Sequence, residues 1–135
     1  MRREDINLSI NPETVELIIV NAREFHAKEG VTFPDEFSVS EYESDALQIL
    51  ADHQDDWTLL ETKKIIEELD VDQQTDLLTL LYIGRGDYEV SEWKIAYKEA
   101  KNNLAPRLAE YLLSKPHLSE YLEQGLLSLG YSLTV

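Results

Sequence analysis

The chain has no cysteine, and that one absence removes disulfides, thiolate zinc sites and cysteine nucleophiles together, as fits a cytoplasmic protein. Long hydrophobic runs are missing as well. The densest apolar stretch, Leu77 to Ile83, falls far short of the ~20 residues that span a bilayer and reads as a buried helix. The opening MRREDINLSINPE carries charges where a signal peptide needs an unbroken apolar core. Bases are scarce: 12 Lys and Arg stand against 27 Asp and Glu, a net charge of −15. Affinity for phosphates comes from Lys and Arg releasing counterions, so no nucleic acid is expected as a partner, and an anionic membrane surface is disfavoured for the same reason.

What remains is 43% hydrophobic residues in 135, enough for one core without a staple, because a chain of this size buries roughly two-thirds of its unfolded surface. A single helical domain over 1–135 is expected, with residues 1–10 as an extended arm and 131–135 as a tail. The charge is unevenly placed: Asp35 to Asp76 holds 14 acids and two lysines, whereas Arg85 to Lys115 holds five acids and six bases. The plain reading of segment 35–76 is a solvated acidic face. The sharper one is a docking surface for a basic partner, or a nucleic-acid mimic.

Hydrophobic spacing is helical throughout, with no repeat and no alternation of β and α units. Asn11 and Pro12 look like an N-cap and a first helical residue, followed by the stripe Val15, Ile18, Ile19, Ala22, Phe25 up to Gly30. Residues 31–39 read as a loop. Ser40 with Glu43 and Thr58 with Glu61 match capping boxes opening a second and a third helix. Asp70 is expected to cap a fourth, whose half LLTLLYI is apolar nearly all round and so forms the centre of the core. Gly84 and Gly86 are expected to stop it. Trp93, Ala96, Tyr97, Ala100 and Leu104 make a fifth stripe that ends or kinks at Pro106, after which Leu108, Tyr111 and Leu112 continue the face. Pro116 marks a new start with Ser114 as its cap, and Gly130 ends the last helix. Gly125 inside that helix costs about 1 kcal/mol relative to alanine, which close approach of a neighbouring helix would offset. The fold class is therefore all-α, a compact single-domain bundle of six or seven short helices.

Chemistry-bearing patterns mostly fail. No two of His26, His53 and His117 stand four apart around a glutamate, as a helical zinc protease requires, and none follows a glutamate by three as in di-metal bundles. Asp70, Asp72, Gln74 and Asp76 imitate a calcium loop, but Thr75 stands where glycine must turn and Leu81 where a bidentate glutamate must close. No metal and no cofactor is expected. Arg85-Gly86-Asp87 spells an integrin-binding tripeptide without the secretory context it needs, and the glycines lack the lysine of a phosphate loop. Arg85 is nonetheless the only base between Lys64 and Lys94. It either serves the helix end, through its carbonyls or a pair with Asp87, or anchors an anion in a pocket beside Trp93. The candidate binding or structural turn is therefore Gly84, Arg85, Gly86, Asp87 and Trp93, with no catalytic residue among them.

The segments LLTLLYIGRGDYEVSEW and YLLSKPHLSEYLEQGLLSLG, together with VNAREFHAKE, resemble an uncharacterised bacterial family, domain of unknown function 3775. The resemblance implies a small helical cytoplasmic protein and no activity. The leading functional expectation is a non-enzymatic protein-interaction or structural module, with a protein partner or self-association. The alternatives are a small-molecule or anion binder, or an enzyme, with a pocket around Arg85, and the acidic mimic.

Overall fold

Nine consecutive residues, Thr75 to Ile83, are buried in the computed structural model of this chain, which describes residues 5–29 and 56–133. They lie on the central helix, expected from the all-round apolar run. In chain order the described residues form six α-helices: α1 (Pro12–Glu29), α2 (Trp57–Glu67), α3 (Val71–Arg85), α4 (Trp93–Asn102), α5 (Leu108–Leu113) and α6 (Leu118–Ser128). One 3₁₀ turn, Val90–Glu92, leads into α4. The fold is an all-α single-domain bundle, and no strand occurs among the described residues. The helix expected at Ser40–His53 and the loop at 31–39 lie outside them.

Packing centres on α3, which lies against α6 and α4, while α1 packs on α6 and α2, and α2 on α5. The expected stripe of α1, Val15, Ile18, Ile19, Ala22 and Phe25, is fully buried. Burying each of its large apolar side chains contributes about 1.5–3 kcal/mol. Polar ties sit around this core. Asn21 Nδ2 donates to Glu61 across α1 and α2, Arg23 pairs with Glu123 at 2.7 Å across α1 and α6, and Lys63 reaches Glu110 at 3.1 Å across α2 and α5. His26 Nε2 lies 2.9 Å from the Leu113 carbonyl oxygen, joining α1 to the end of α5.

The helix ends show where sequence pattern and backbone chemistry part. Asp70 caps α3 in a full box: its carboxylate accepts the Gln73 N–H at 2.8 Å, and Gln73 Oε1 accepts the Asp70 N–H at 3.0 Å. Helix α2 is capped by Asp56, whose carboxylate accepts the Leu59 N–H at 3.1 Å. Thr58, expected as that cap, is instead buried inside the first turn, because an aspartate two residues earlier is already placed to satisfy the exposed N–H groups. Gly84 does not stop α3 either. The helix runs through it to Arg85, and Gly86 ends it in the left-handed region at φ 90°. The Gly86 N–H then bonds to Ile83 and the Asp87 N–H to Tyr82, satisfying two orphan carbonyls.

Helix α4 ends at Asn102, before Leu104 and Pro106, so the helix ends rather than kinks there. Pro106 has no N–H for the Asn102 carbonyl four residues earlier and its ring would clash with it, so the helix stops ahead of the proline. Ser114 does not cap the last helix: its hydroxyl donates to the Tyr111 carbonyl at 2.6 Å and so finishes α5. Gly130, at φ 92°, closes α6 as expected.

Candidate functional site

Two glycines set the spacing on which the site depends. A Cβ added to Gly84 would fall onto the Tyr121 carbonyl oxygen and lie 2.6 Å from its carbonyl carbon; one added to Gly125 would lie 2.5 Å from the Leu80 carbonyl oxygen. Helices α3 and α6 therefore meet backbone to backbone, and the expected neighbour of Gly125 is α3. Tyr82 stands on the same stretch of α3, midway between Leu80 and Gly84 and about half a turn from each.

Tyr82 forms one wall of a cleft of about 310 Å³ between α3 and the chain from the end of α4 into α5. Leu78 and Leu108 supply apolar lining, Tyr111 a second aromatic wall, and Asn103, Ala105 and Arg107 the remaining edge. Asn103 Nδ2 donates to the Tyr82 hydroxyl oxygen at 3.0 Å and also reaches Glu99 Oε1 at 3.3 Å. The Tyr82 oxygen is thus an acceptor on one side, and its own O–H remains a donor for a further group. Burial raises the Tyr82 pKa above its ordinary 10.0, so the phenol stays protonated at neutral pH.

Arg85 stands beside this cleft. Its Nε donates to Asp87 Oδ2 at 2.9 Å and its Nη2 lies 2.7 Å from the same oxygen. The guanidinium carbon sits 5.7 Å from the centre of the Tyr82 ring, within cation–π range. Burial pulls its pKa down, but Asp87, with the Tyr111 hydroxyl, outweighs that and raises it. Lys115 lies over the Tyr111 ring at 4.9 Å. Arg107 is 64% exposed at its side chain and only 3.9 Å from Glu110, which Lys63 holds more closely.

Of the residues singled out from sequence, Arg85 and Asp87 come together, Gly86 makes the turn that places Asp87, and Gly84 serves the α6 contact. Trp93 is elsewhere: it is buried and borders a shallower cleft with Ile6, Ser9, Asp76, Lys94 and Tyr97. There the buried Asp76 carboxylate accepts the N–H groups of Ser9 and Ile10, the latter at 3.1 Å, and so holds residues 5–10 against α3. Desolvation raises the Asp76 pKa above 3.8, although these two hydrogen bonds oppose it. Tyr82, Asn103 and Tyr111 had not been singled out as site residues. Their one signal was an asparagine just before a proline-containing break between two tyrosine-bearing stripes.

Among the described residues no group of three or more His, Asp or Glu is placed to hold a metal ion, and no helix is long and apolar enough to cross a membrane. The fold and cleft define a small all-helical protein with an aromatic-walled recess. The chain belongs to the family described as "Protein of unknown function (DUF3775)", whose model matches residues 60–131, more than half of its length. That match runs from α2 through α6 and contains the whole cleft, while α1 precedes it. Neither the curated proteins nor the solved structures gave a match.

Proposed function

We propose that this protein is a non-enzymatic binding module that seats a small molecule in the cleft between Tyr82 and Tyr111. The observation that carries the reading is the recess itself, about 310 Å³ with an apolar lining and a buried phenol whose O–H has a bond left to give. Ligand sites are typically recesses of about 300–1,000 Å³ that combine apolar walls with a few placed polar groups. A cytoplasmic setting belongs to this reading and is supported by the cysteine-free composition; a bacterial origin rests on the family resemblance alone.

The test is a fragment screen followed by amide NMR on the full chain and on Ala105→Trp, which fills the recess from an exposed position. Ligands should perturb the amides of Tyr82, Asn103 and Tyr111 and should lose binding in Ala105→Trp. Ligands that map elsewhere, or that bind the filled variant equally well, would refute the reading.

Docking of another protein, or of a second copy, is a second reading. It is favoured by Trp57, 77% exposed, with Leu60 also exposed one turn along α2. Light scattering on Trp57→Ser would show whether that face self-associates. The acidic-mimic reading covers segment 35–76, of which residues 35–55, with seven of the 14 acids, lie outside the described residues.

A further inference from the structure

Resting on the proposed cleft, we infer that its ligand is a flat aromatic carboxylate. The walls select the body. Tyr82 and Tyr111 present rings, and Leu78 and Leu108 apolar side chains, so an aromatic ring system fills the recess with little unmatched polar surface. The edge selects the head. Arg107 borders the cleft, and at 3.9 Å its contact with Glu110 is longer than a hydrogen bond. A guanidinium held this loosely is open to the two-pronged pairing that carboxylates favour. The Tyr82 O–H supplies a second donor for the same oxygens, since the Asn103 amide already occupies the acceptor side of that hydroxyl.

Arg85 is not the anchor, and its pair with Asp87 leaves no net charge there. Asp87 takes its Nε and one terminal nitrogen, and the guanidinium lies against the Tyr82 ring. Lys115 stands in the same way over Tyr111.

The net charge of −15 opposes the approach of any anion. Screening answers this: at physiological ionic strength exposed charges fade over ~8 Å, so the groups bordering the cleft dominate the field within it.

The inference is tested by titrating the full chain with 2-naphthoate and with neutral 2-naphthamide, monitored by amide NMR, and repeating both on Arg107→Gln and Tyr82→Phe. Naphthoate should bind about tenfold more tightly than the amide, as one charge-assisted pair provides. Arg107→Gln should bring the two affinities within about twofold of each other, and Tyr82→Phe should weaken naphthoate more than naphthamide. Equal binding of both compounds by the unaltered protein, at the cleft residues, would overturn the carboxylate while leaving the cleft reading intact. A preference that survives Arg107→Gln unchanged would overturn the assigned anchor. Binding of neither compound, or shifts confined to residues outside the cleft, would sink the carboxylate, and an empty fragment screen beside it would sink the cleft reading too.

Discussion

Replacing Gly84 by alanine opposes two effects of opposite sign. Helix propensity alone favours the change: alanine inside a helix is better than glycine by about 1 kcal/mol. Packing forbids it. The new Cβ would fall onto the Tyr121 carbonyl oxygen, and the atoms next in reach are the Tyr121 carbonyl carbon at 2.6 Å and the Gly125 nitrogen at 3.0 Å. These are backbone atoms of a helix, so no rotamer change relieves the overlap. To restore ordinary contact α3 and α6 must part by roughly 2 Å, and since a gap of about 0.5–1 Å already forfeits a quarter to a half of each dispersion contact it opens, most of that contact is lost. The side chains affected are themselves fully buried, among them Leu80, Leu81, Leu122 and Leu126.

Overpacking a core costs about 1–3 kcal/mol and sometimes more, and a backbone obstacle puts Gly84 at the upper end. After the propensity gain, Gly84→Ala should lose about 2 kcal/mol or more. Gly125→Ala, where the nearest atom is the Leu80 carbonyl oxygen at 2.5 Å, should lose about half as much. Because both changes separate the same pair of helices, the double variant should lose less than the sum. Gly86→Ala is the control: nothing lies within 4 Å of its added Cβ, so only the φ of 90° opposes it, at about 1–2 kcal/mol. Urea unfolding followed by far-UV circular dichroism reads all four. A Gly84→Ala protein as stable as the parent, or more stable, would refute the backbone contact.

Two further predictions concern carboxylates. Desolvation holds the Asp76 pKa above 3.8 in the fold, with Asp72 and Asp70 adding to it, so the folded chain binds a proton more readily than the unfolded one. The contribution of Asp76 is therefore most favourable below pH 3.8 and is lost as pH rises through the folded value. Both arm bonds go to one oxygen, so Asp76→Asn keeps an acceptor without the charge. Its stability relative to the parent should rise from pH 3 to pH 7 in urea titrations, and a flat or falling difference would contradict the burial argument. Asp76→Leu should cost about 1–3 kcal/mol at pH 7 by leaving the buried Ile10 N–H without its acceptor. At the start of α2, Asp56→Ala should cost about 1 kcal/mol as a lost cap. Thr58→Val, which removes the hydroxyl but keeps the branched shape, should cost less than Asp56→Ala, and the reverse order in thermal unfolding would restore Thr58 as the cap.

How far the residues disclosed this arrangement depends on the range of the interactions involved. The stripe of α1, the enclosed run of α3 and the Asp70 cap are local, each written within a few turns of sequence, and each was legible. Gly125 was legible too, since a glycine in an apolar stripe asks for a close neighbour. Gly84 was not: two residues before a second glycine it looks like punctuation, and only the position of Tyr121 on another helix shows that it is a contact. Asp76 was hidden for the same reason, because the N–H groups it accepts lie at Ser9 and Ile10, far away along the chain. The cleft was the least visible. Tyr82 and Tyr111 each fall on a stripe that is indistinguishable from core, and the edge of the recess is formed by the 103–107 stretch that follows the end of α4.

That last point joins the frame to the site. The same helix that α6 pins through Gly84 carries Tyr82, and the Gly86 turn that ends it delivers Asp87 to the guanidinium of Arg85. Asp87 thus holds Arg85 against the Tyr82 ring, while Asn103, the residue that closes α4, fixes the hydroxyl at the other end of the same side chain. Tyr82 is constrained along its whole length by groups that arise from helix endings. Such constraint lowers the entropy lost when a ligand orders a side chain. The glycines and the proline-linked break that were expected to delimit helices therefore also shape the cleft, and Arg85, conspicuous as a lone base, acts by steadying an aromatic wall.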